Sequence, residues 1–429
     1  MAGVLFGLLF LLMFLSVPIA VALAFASTVA AIIFYPDYNM VHLVAQATVT
    51  AADSFPLMAI PFFMLVGTLM EKSGLAKKVI DVGEAIMGPA PGGLGNALIV
   101  ACMIFAAISG SGPAVVAALG TTMIPSMVER GYSSAYAGSL TAAGATIGPV
   151  IPPSIPMIVF GVTSGVSTVA MFSGGIAPGI LMGGGLIAVN MFISKKRGYL
   201  GKPRGGGLGW VMKQIWLSRW ALALPIIILG GIYGGIFTPT EAAVIGAVYA
   251  LFNGVFIEKT LTLSGIKDAF VEAGLLTCTG MFVVGSATTF GRLLTLERIP
   301  QQIAEMMLGI TNSPAGIMFM IMGFLIVTGC FIDTISNVIL FTPLFLPVVT
   351  SLGYHPVFFG VLMTMNLCVG MITPPVGVNL YVAQGISRAS LDTLIKESIP
   401  LLATLFVVIG IVVLFPEIVL FLPRLLGTL

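Results

Sequence analysis

Ile151-Pro152-Pro153-Ser154 and Thr373-Pro374-Pro375-Val376 carry the same proline pair at points 222 residues apart (374 − 152). At that single offset, without a gap, Pro125, Gly131 and Tyr132 recur as Pro347, Gly353 and Tyr354. Ser16-Val17-Pro18 and Thr238-Pro239-Thr240 lie at nearly the same spacing. Such register marks an internal repeat. The repeated residues are helix breakers set in apolar sequence. Paired interruptions in two halves of a hydrophobic chain point to a transporter whose site lies at mid-membrane, where helices stop short and their ends face a ligand.

The composition fits that environment. Of 429 residues, 58% are hydrophobic and 8% charged, against about a quarter charged in soluble domains. The mean hydropathy is +1.12. The class is an all-α polytopic membrane protein embedded in a lipid bilayer; the small net charge of +2 says nothing about nucleic acid, and no nucleic-acid partner is expected. Cys102, Cys278, Cys330 and Cys368 are scattered through apolar segments without a Cys-x-x-Cys pair, which reads as packing and not as a disulfide framework or zinc site. No basic stretch precedes the first apolar run, so residues 2–17 read as a first membrane helix and not a cleaved signal.

Apolar runs of about 20 residues mark spans. The first half predicts helices near 3–17, 18–35, 55–71, 133–163 and 168–193, with a broken stretch at 95–128. The second predicts 219–237, 240–257, 269–291, 355–386 and 398–422, with a broken stretch at 314–350. Ser109-Gly110-Ser111-Gly112-Pro113 interrupts the first broken stretch, and the segment from Gly329 to Asn337 the second. Each side is too short to span comfortably, so each stretch reads as a re-entrant hairpin. Non-helical backbone at that depth has to be buried in protein or line a watered cavity.

With hairpins that do not cross, each half has five crossings, and an odd number inverts one repeat relative to the other. This arrangement puts loops 72–94, 129–132, 194–218, 258–268 and 387–397 on one side. All but Arg292, Arg298 and Arg424 of the 18 lysines and arginines fall there or at the adjoining helix ends. The positive-inside rule makes that side cytoplasmic and puts both termini outside. In the linker, Trp210, Trp216 and Trp220 stand with Lys213 and Arg219. They suit a helix lying on the inner leaflet or a solvated connector with belt tryptophans.

Chemistry concentrates at the breaks. Ser109 and Ser111 supply hydroxyls at the first tip. Ser111 matches Asp333 at the repeat offset, within Asp333-Thr334-Ile335-Ser336-Asn337. Each tip has a partner break: Gly144-Ala145-Thr146-Ile147-Gly148-Pro149 ahead of Pro152, and Asn366 to Thr373 ahead of Pro374. A proline inside a helix removes a hydrogen bond and frees a carbonyl. Unwound backbone, hydroxyls and a carboxylate suit a hard cation such as sodium, so two related cation sites are expected. Their candidate ligands are Ser109, Ser111, Gly144, Ile147 and Gly148, then Gly329, Asp333, Asn337, Met371 and Thr373. An intramembrane carboxylate is expensive, so Asp333 reads as a cation or proton ligand, the alternative being a satisfied structural group. Half-helix N-termini favour anions, which places a carboxylate-bearing solute near Gly112, Pro153, Ser154, Pro375 and Gly377. Glu241 after Thr238-Pro239-Thr240 reads as a helix cap. Gly231 and Gly235 read as a helix contact, and His42 and His355 as surface residues.

Phe55-Pro56-Leu57-Met58-Ala59-Ile60-Pro61-Phe62-Phe63, the Ser-Gly-Ser-Gly-Pro tip, Ile151 to Met157 and Thr373 to Gly377 resemble the large membrane subunit (DctM-like) of tripartite ATP-independent periplasmic (TRAP) transporters, nearly end to end. The resemblance implies a secondary transporter of the bacterial inner membrane, coupled to sodium and moving as an elevator. It implies a separate small four-helix membrane subunit and a periplasmic substrate-binding protein that delivers an organic acid of the sialic acid or C4-dicarboxylate type. It also places the two sodium sites on Ser109, Ser111 and the Gly144–Gly148 turn, and on Asp333, Asn337 and the Met371–Pro374 turn.

The domains expected are 1–94 as scaffold helices and arm, 95–193 as the first transport element, 194–309 as interfacial linker and scaffold, and 310–429 as the second transport element. No Walker sequence Gly-x-x-x-x-Gly-Lys-[Ser/Thr] occurs, and neither His-Glu-x-x-His nor Gly-x-Ser-x-Gly is present. A transporter and not an enzyme is expected, with sodium as its sole cofactor. The rival is a proton- or cation-coupled antiporter or symporter of another inverted-repeat family.

Overall fold

The computed structural model describes residues 1–15, 17–35, 40–199, 201, 207–311 and 313–429, and these are helical throughout with turns between. The first half runs α1 (Ala2–Phe14), α2 (Ile19–Phe34), α3 (Met40–Ala52), α4 (Ala59–Lys72), α5 (Leu75–Met87), α6 (Gly93–Ser109), α7 (Gly112–Glu129), α8 (Ser134–Ala145), α9 (Ile155–Ser164) and α10 (Thr168–Arg197). A linker helix α11 (Gly207–Leu217) follows. The second half runs α12 (Arg219–Tyr233), α13 (Pro239–Phe252), α14 (Leu263–Leu296), α15 (Ile299–Ile310), α16 (Pro314–Gly329), α17 (Thr334–Ser351), α18 (Pro356–Gly370), α19 (Val378–Ser387), α20 (Leu391–Leu414) and α21 (Glu417–Leu425). The bounds of α7 and α17 stand 222 residues apart at both ends. Among the described residues, six helical segments are long and apolar enough to cross a membrane, or seven if α11 and α12, bent by 70°, count as one.

Sequence explains where the halves differ. The α3–α4 region and α14 occupy matching stretches, yet α14 is continuous and its counterpart is not. Ser54 is extended (φ −136°) and Phe55–Met58 form a 3-10 turn. Pro56 lacks the N–H that a continuing helix requires, whereas the matching position holds Cys278. The Phe55 carbonyl left by the break accepts from Thr240 Oγ1 at 3.2 Å.

The core lies around two mostly apolar helices that are buried on every side, the pattern of a helix inside a large protein. α8 is buried from Tyr136 to Ala145 and α18 from Val357 to Gly370. Each runs into a proline break, so both breaks lie deep in the fold. α7 packs on α19 and α17 on α9, so each tip helix meets the distal half-helix of the opposite half.

α6 and α7 form a hairpin whose open ends meet at one residue. Gly92 N donates to Tyr199 O (2.9 Å), and the Tyr132 ring stacks on Tyr199 with centroids 4.2 Å apart. That end carries ion pairs Lys78–Glu258, Arg130–Glu84 (2.7 Å) and Arg197–Glu397 (2.8 Å). They join loops expected on one side. Beside them Asn190 ties Gly92 O, Asn96 and Tyr136 into a buried network.

Several boundaries differ from expectation. The stretch 72–94 holds the amphipathic α5, which buries Leu75, Val79, Ile80 and Val82. Helices α3 and α15 fall between the expected spans, and α14 extends past 269–291 at both ends. The expected helix at 398–422 starts at Leu391 and stops at Leu414; Pro416 then starts α21 on a new axis. Gly231 receives the Phe237 ring, where a Cβ would lie 2.3 Å away, and Gly235 turns the chain at φ +67°. The linker is helical at 207–217, with Trp216 exposed and Arg219 stacked over Trp216 and Trp220. Ser16, Lys202 and Arg204 lie outside the described residues.

Thr238 and Glu241 form the expected cap as a reciprocal box. His42 is exposed. His355 is exposed as well, and its Nδ1 accepts from Val357 N at 3.2 Å and caps α18. Burial, and then the nearby Arg424, hold its pKa below the usual 6.5. The folded chain therefore binds fewer protons here than the unfolded one. The contribution is present above pH 6.5 and is lost as pH falls through the lower folded value. The melting temperature is expected to drop between pH 7 and pH 5, and His355→Gln to flatten that part of the slope in a melting series; an unchanged slope removes His355 from the account.

Candidate ion and solute site

The first tip is shaped by glycine. α6 ends at Ser109, Gly110 reverses the chain at φ +60°, and Ser111 is extended ahead of Gly112-Pro113. Proline at the start of a helix costs nothing, because that N–H has no helical partner. A Cβ on Gly110 would lie 3.2 Å from Pro153 O, and one on Gly112 would lie 3.1 Å from the Asn379 amide and from Met371 Sδ. Gly148 stands against Ser111 O, with its Cβ position 3.5 Å away. The first tip is thus gripped by the proline breaks of both halves. The backbone of Ser109 belongs to α6, while its side chain lies outside the described residues.

The breaks are built alike. After α8, Thr146 N donates to Ala143 O and Ile147 N to Gly144 O at 3.1 and 3.2 Å, the tightened bonds of a fraying helix. After α18, Met371 N donates to Cys368 O and Thr373 N to Gly370 O at 3.2 and 3.0 Å. Both proline–proline bonds are cis. Ser154, fully buried, donates to Pro149 O and accepts from Met157 N, so its hydroxyl holds the first break together. Gly377, at φ +60°, starts α19 without a capping side chain. Asn379 N closes the second break by donating to Met371 O at 3.0 Å. The first break is sealed, since Pro152 and Pro153 are buried and α10 presses on it through Gly175, whose Cβ would lie 2.4 Å from Val150 O. The second is open, with Asp333 and Pro375 exposed.

At the second tip the Asp333 carboxylate caps α17. It accepts from Ser336 N at 3.0 Å and from Ser336 Oγ. Gly329 and Gly370 meet backbone to backbone, a Cβ on Gly370 falling 2.8 Å from Gly329 C. Thr373 Oγ1 is turned back to Val369 O.

Three asparagines share one arrangement. Asn337 Nδ2 donates to Ile332 O (2.8 Å) and Asp333 O (3.1 Å), Asn366 Nδ2 to Met322 O (2.8 Å), and Asn379 Nδ2 to Ala142 O (3.3 Å). In each the amide nitrogen is tied to backbone. Each Oδ1 is buried without a hydrogen-bond partner, as is Thr334 Oγ1. A buried unsatisfied acceptor costs about 1–3 kcal/mol, so these four oxygens, on the helices that flank the second tip and the second break, are candidate ligands. Among the described residues no cluster of histidine, cysteine and acidic side chains could hold a metal. Neutral amide, hydroxyl and carbonyl oxygens suit a hard, weakly held monovalent cation.

The structure therefore brings Ser111, Gly112, Gly148 and Pro153 together with Met371 and Asn379, and Gly329 together with Gly370 at the end of α18, while Asn337 is bonded within its own segment to Ile332 O and Asp333 O. Thr334, Asn366 and Asn379 were not among the expected site residues. A lone asparagine in an otherwise apolar helix was the available signal.

Residues 6–418 match the family model for the tripartite ATP-independent periplasmic transporter, DctM component. The chain is 43% identical over 396 residues to the isethionate TRAP transporter permease protein DctMQ of Oleidesulfovibrio alaskensis, covering 92% of this chain and spanning 62% of that relative's length. It is 38% identical over 407 residues to the C4-dicarboxylate TRAP transporter large permease protein DctM of Pseudomonas aeruginosa, covering 94% and 93% of the two chains. It is 36% identical over 397 residues to the sialic acid TRAP transporter large permease protein SiaM of Vibrio cholerae, covering 92% of each. The crystal structure of the YdaH transporter of Alcanivorax borkumensis shares the fold, with a TM-score of 0.62 at 14% identity over 87% of both chains.

Proposed function

We propose, since this chain belongs to the DctM family of tripartite ATP-independent periplasmic transporters, that it takes up a small organic acid across the bacterial inner membrane by sodium-coupled secondary transport. The observation that carries the coupling is the set of buried oxygens on Thr334, Asn337, Asn366 and Asn379, each left without a hydrogen-bond partner on a helix that flanks the second tip or the second break. Sodium accepts such oxygens as ligands, and its charge offsets their cost. One site uses the Ser111 region with the turn Gly144–Gly148, and the other uses Asn337 with the turn Met371–Thr373. Asp333 acts on the second site through the start of α17, which it caps.

The acid binds between the tips, near Gly112, Pro153, Pro375 and Gly377, where the N-terminus of α19 faces it. The 222-residue offset and the bias of lysine and arginine support two inverted repeats with re-entrant hairpins. Residues 95–193 and 310–429 then form the moving body, and 1–94 and 194–309 the scaffold of an elevator. Ordering of the tips by sodium makes solute binding depend on sodium, and the inward sodium gradient drives uptake. A small four-helix membrane subunit and a periplasmic binding protein complete the system.

The test is uptake of a labelled C4-dicarboxylate, sialic acid or 2-hydroxyethanesulfonate into liposomes holding this chain with its small subunit, with the binding protein outside. Replacing external sodium by potassium is expected to cut the rate by about tenfold or more, within the usual range of site–site coupling. An undiminished rate in potassium overturns sodium coupling and favours proton coupling.

A further inference from the structure

Away from the tips, a cavity of about 510 Å³ opens between α3, α9, α14 and α17, and Arg292 stands in its wall. None of its lining residues belongs to either tip or either break. Arg292 is exposed to this space and makes no ion pair or hydrogen bond among the described residues. An arginine fork without an acid beside it, in a segment otherwise apolar, is a recognition element for a planar or tetrahedral oxyanion.

The rest of the wall is hydroxyl-rich in a particular way. Thr50, Thr163, Thr288 and Thr295 each donate to a carbonyl four residues back on their own helix, at 2.8–2.9 Å. Their protons are spent, so they offer the cavity acceptor lone pairs. Ser54 caps no N–H and also lines the space. One cationic fork and several acceptors match a solute with an anionic head and donor hydroxyls. Val159, Val284 and Ile339 would face its carbon skeleton. The walls pack closely against one another in this conformation. A Cβ on Gly285 would lie 2.5 Å from Thr48 O, joining α3 to α14, and one on Gly291 would lie 3.2 Å from Pro343 Cγ, joining α14 to α17. A volume of this size accommodates a small acid with water.

We infer that Arg292 and the hydroxyls around it form a second solute site, separate from the tips, for a small hydroxylated carboxylate or sulfonate. The site requires neither sodium nor the partner subunits.

Thiol labelling of a reporter tests this in the purified chain. Thr288→Cys is placed in a Cys278→Ser background, because Cys278 is exposed. Its rates with a negatively charged sulfonatoethyl and a positively charged trimethylammonioethyl methanethiosulfonate are each divided by the rate with 2-mercaptoethanol. The anionic reagent is expected to be favoured by about tenfold, the effect of a unit charge a few ångströms away at a partly exposed site. Arg292→Gln should abolish the preference and Arg292→Lys should retain most of it. Saturable protection by 2-hydroxyethanesulfonate should exceed that by ethanesulfonate and disappear in Arg292→Gln. A preference unchanged by Arg292→Gln, or a lysine variant no different from glutamine, overturns the site. Equal protection by the two sulfonates overturns its reading of hydroxyls. Labelling needs no gradient, so failure of sodium-coupled uptake leaves this outcome unaffected.

Discussion

Gly370→Ala is expected to leave little folded protein. A Cβ at this position would stand 2.8 Å from Gly329 C, 2.9 Å from its Cα and 3.0 Å from its O. All three are backbone atoms at the end of α16, so no rotamer change makes room. α16 and α18 would have to separate, and they are tied again one turn away by Asn366 Nδ2 to Met322 O at 2.8 Å. Forcing extra atoms into a packed core costs about 1–3 kcal/mol, and a clash with backbone on both sides belongs at the upper end. The measurement is the melting temperature and the yield of monodisperse protein in detergent. Gly274→Ala is the control, with open space around its Cβ in the middle of α14. It should match or slightly exceed the parent, because alanine is worth up to about 1 kcal/mol over glycine inside a helix. A Gly370→Ala protein that melts with the parent would show that the second tip is not held by this contact.

Asn379→Leu is expected to separate sodium binding from folding. The side chain has one bond at 3.3 Å to Ala142 O and one buried oxygen with no partner. Leucine gives up a hydrogen bond worth about 0.5–1.5 kcal/mol and removes an orphan acceptor that costs about 1–3 kcal/mol. In sodium-free buffer the variant should therefore melt close to the parent or slightly above it. In saturating sodium the parent should gain stability by mass action, about 2.7 kcal/mol at a hundredfold excess over the dissociation constant, and the variant should gain little. A variant stabilised by sodium as much as the parent would remove Asn379 from the ion site. One that is unfolded without sodium would make the residue structural.

The breaks were readable in the sequence because their causes are local. Two adjacent prolines, a serine–glycine tip and a glycine free to take φ +60° disrupt a helix whatever surrounds them. The repeat made those disruptions visible as a pair. The interruption of α3 and α4 at Pro56, and its absence in α14, follow from the same local chemistry. The amphipathic α5 and the short α3 were hidden for the opposite reason. Charge, histidine or modest hydropathy places them outside a search for long apolar runs, and tertiary packing stabilises them. Asp333 shows a different limit. A carboxylate in an apolar stretch signals function, yet its neighbour three residues on, Ser336, engages both of its oxygens in a helix cap.

The sequence by itself determined a chain of paired broken helices in a membrane, because apolar length and helix breakers act through the backbone alone. Tertiary structure alone decided which oxygens are left without partners. Asn337, Asn366 and Asn379 lie in three different helices, and Asn337 has its amide nitrogen held by carbonyls four and five residues back. For Asn366 and Asn379 the carbonyl is on another helix altogether. An acceptor becomes a candidate cation ligand only when packing supplies its donors elsewhere and removes the water, and no spacing along the chain records that.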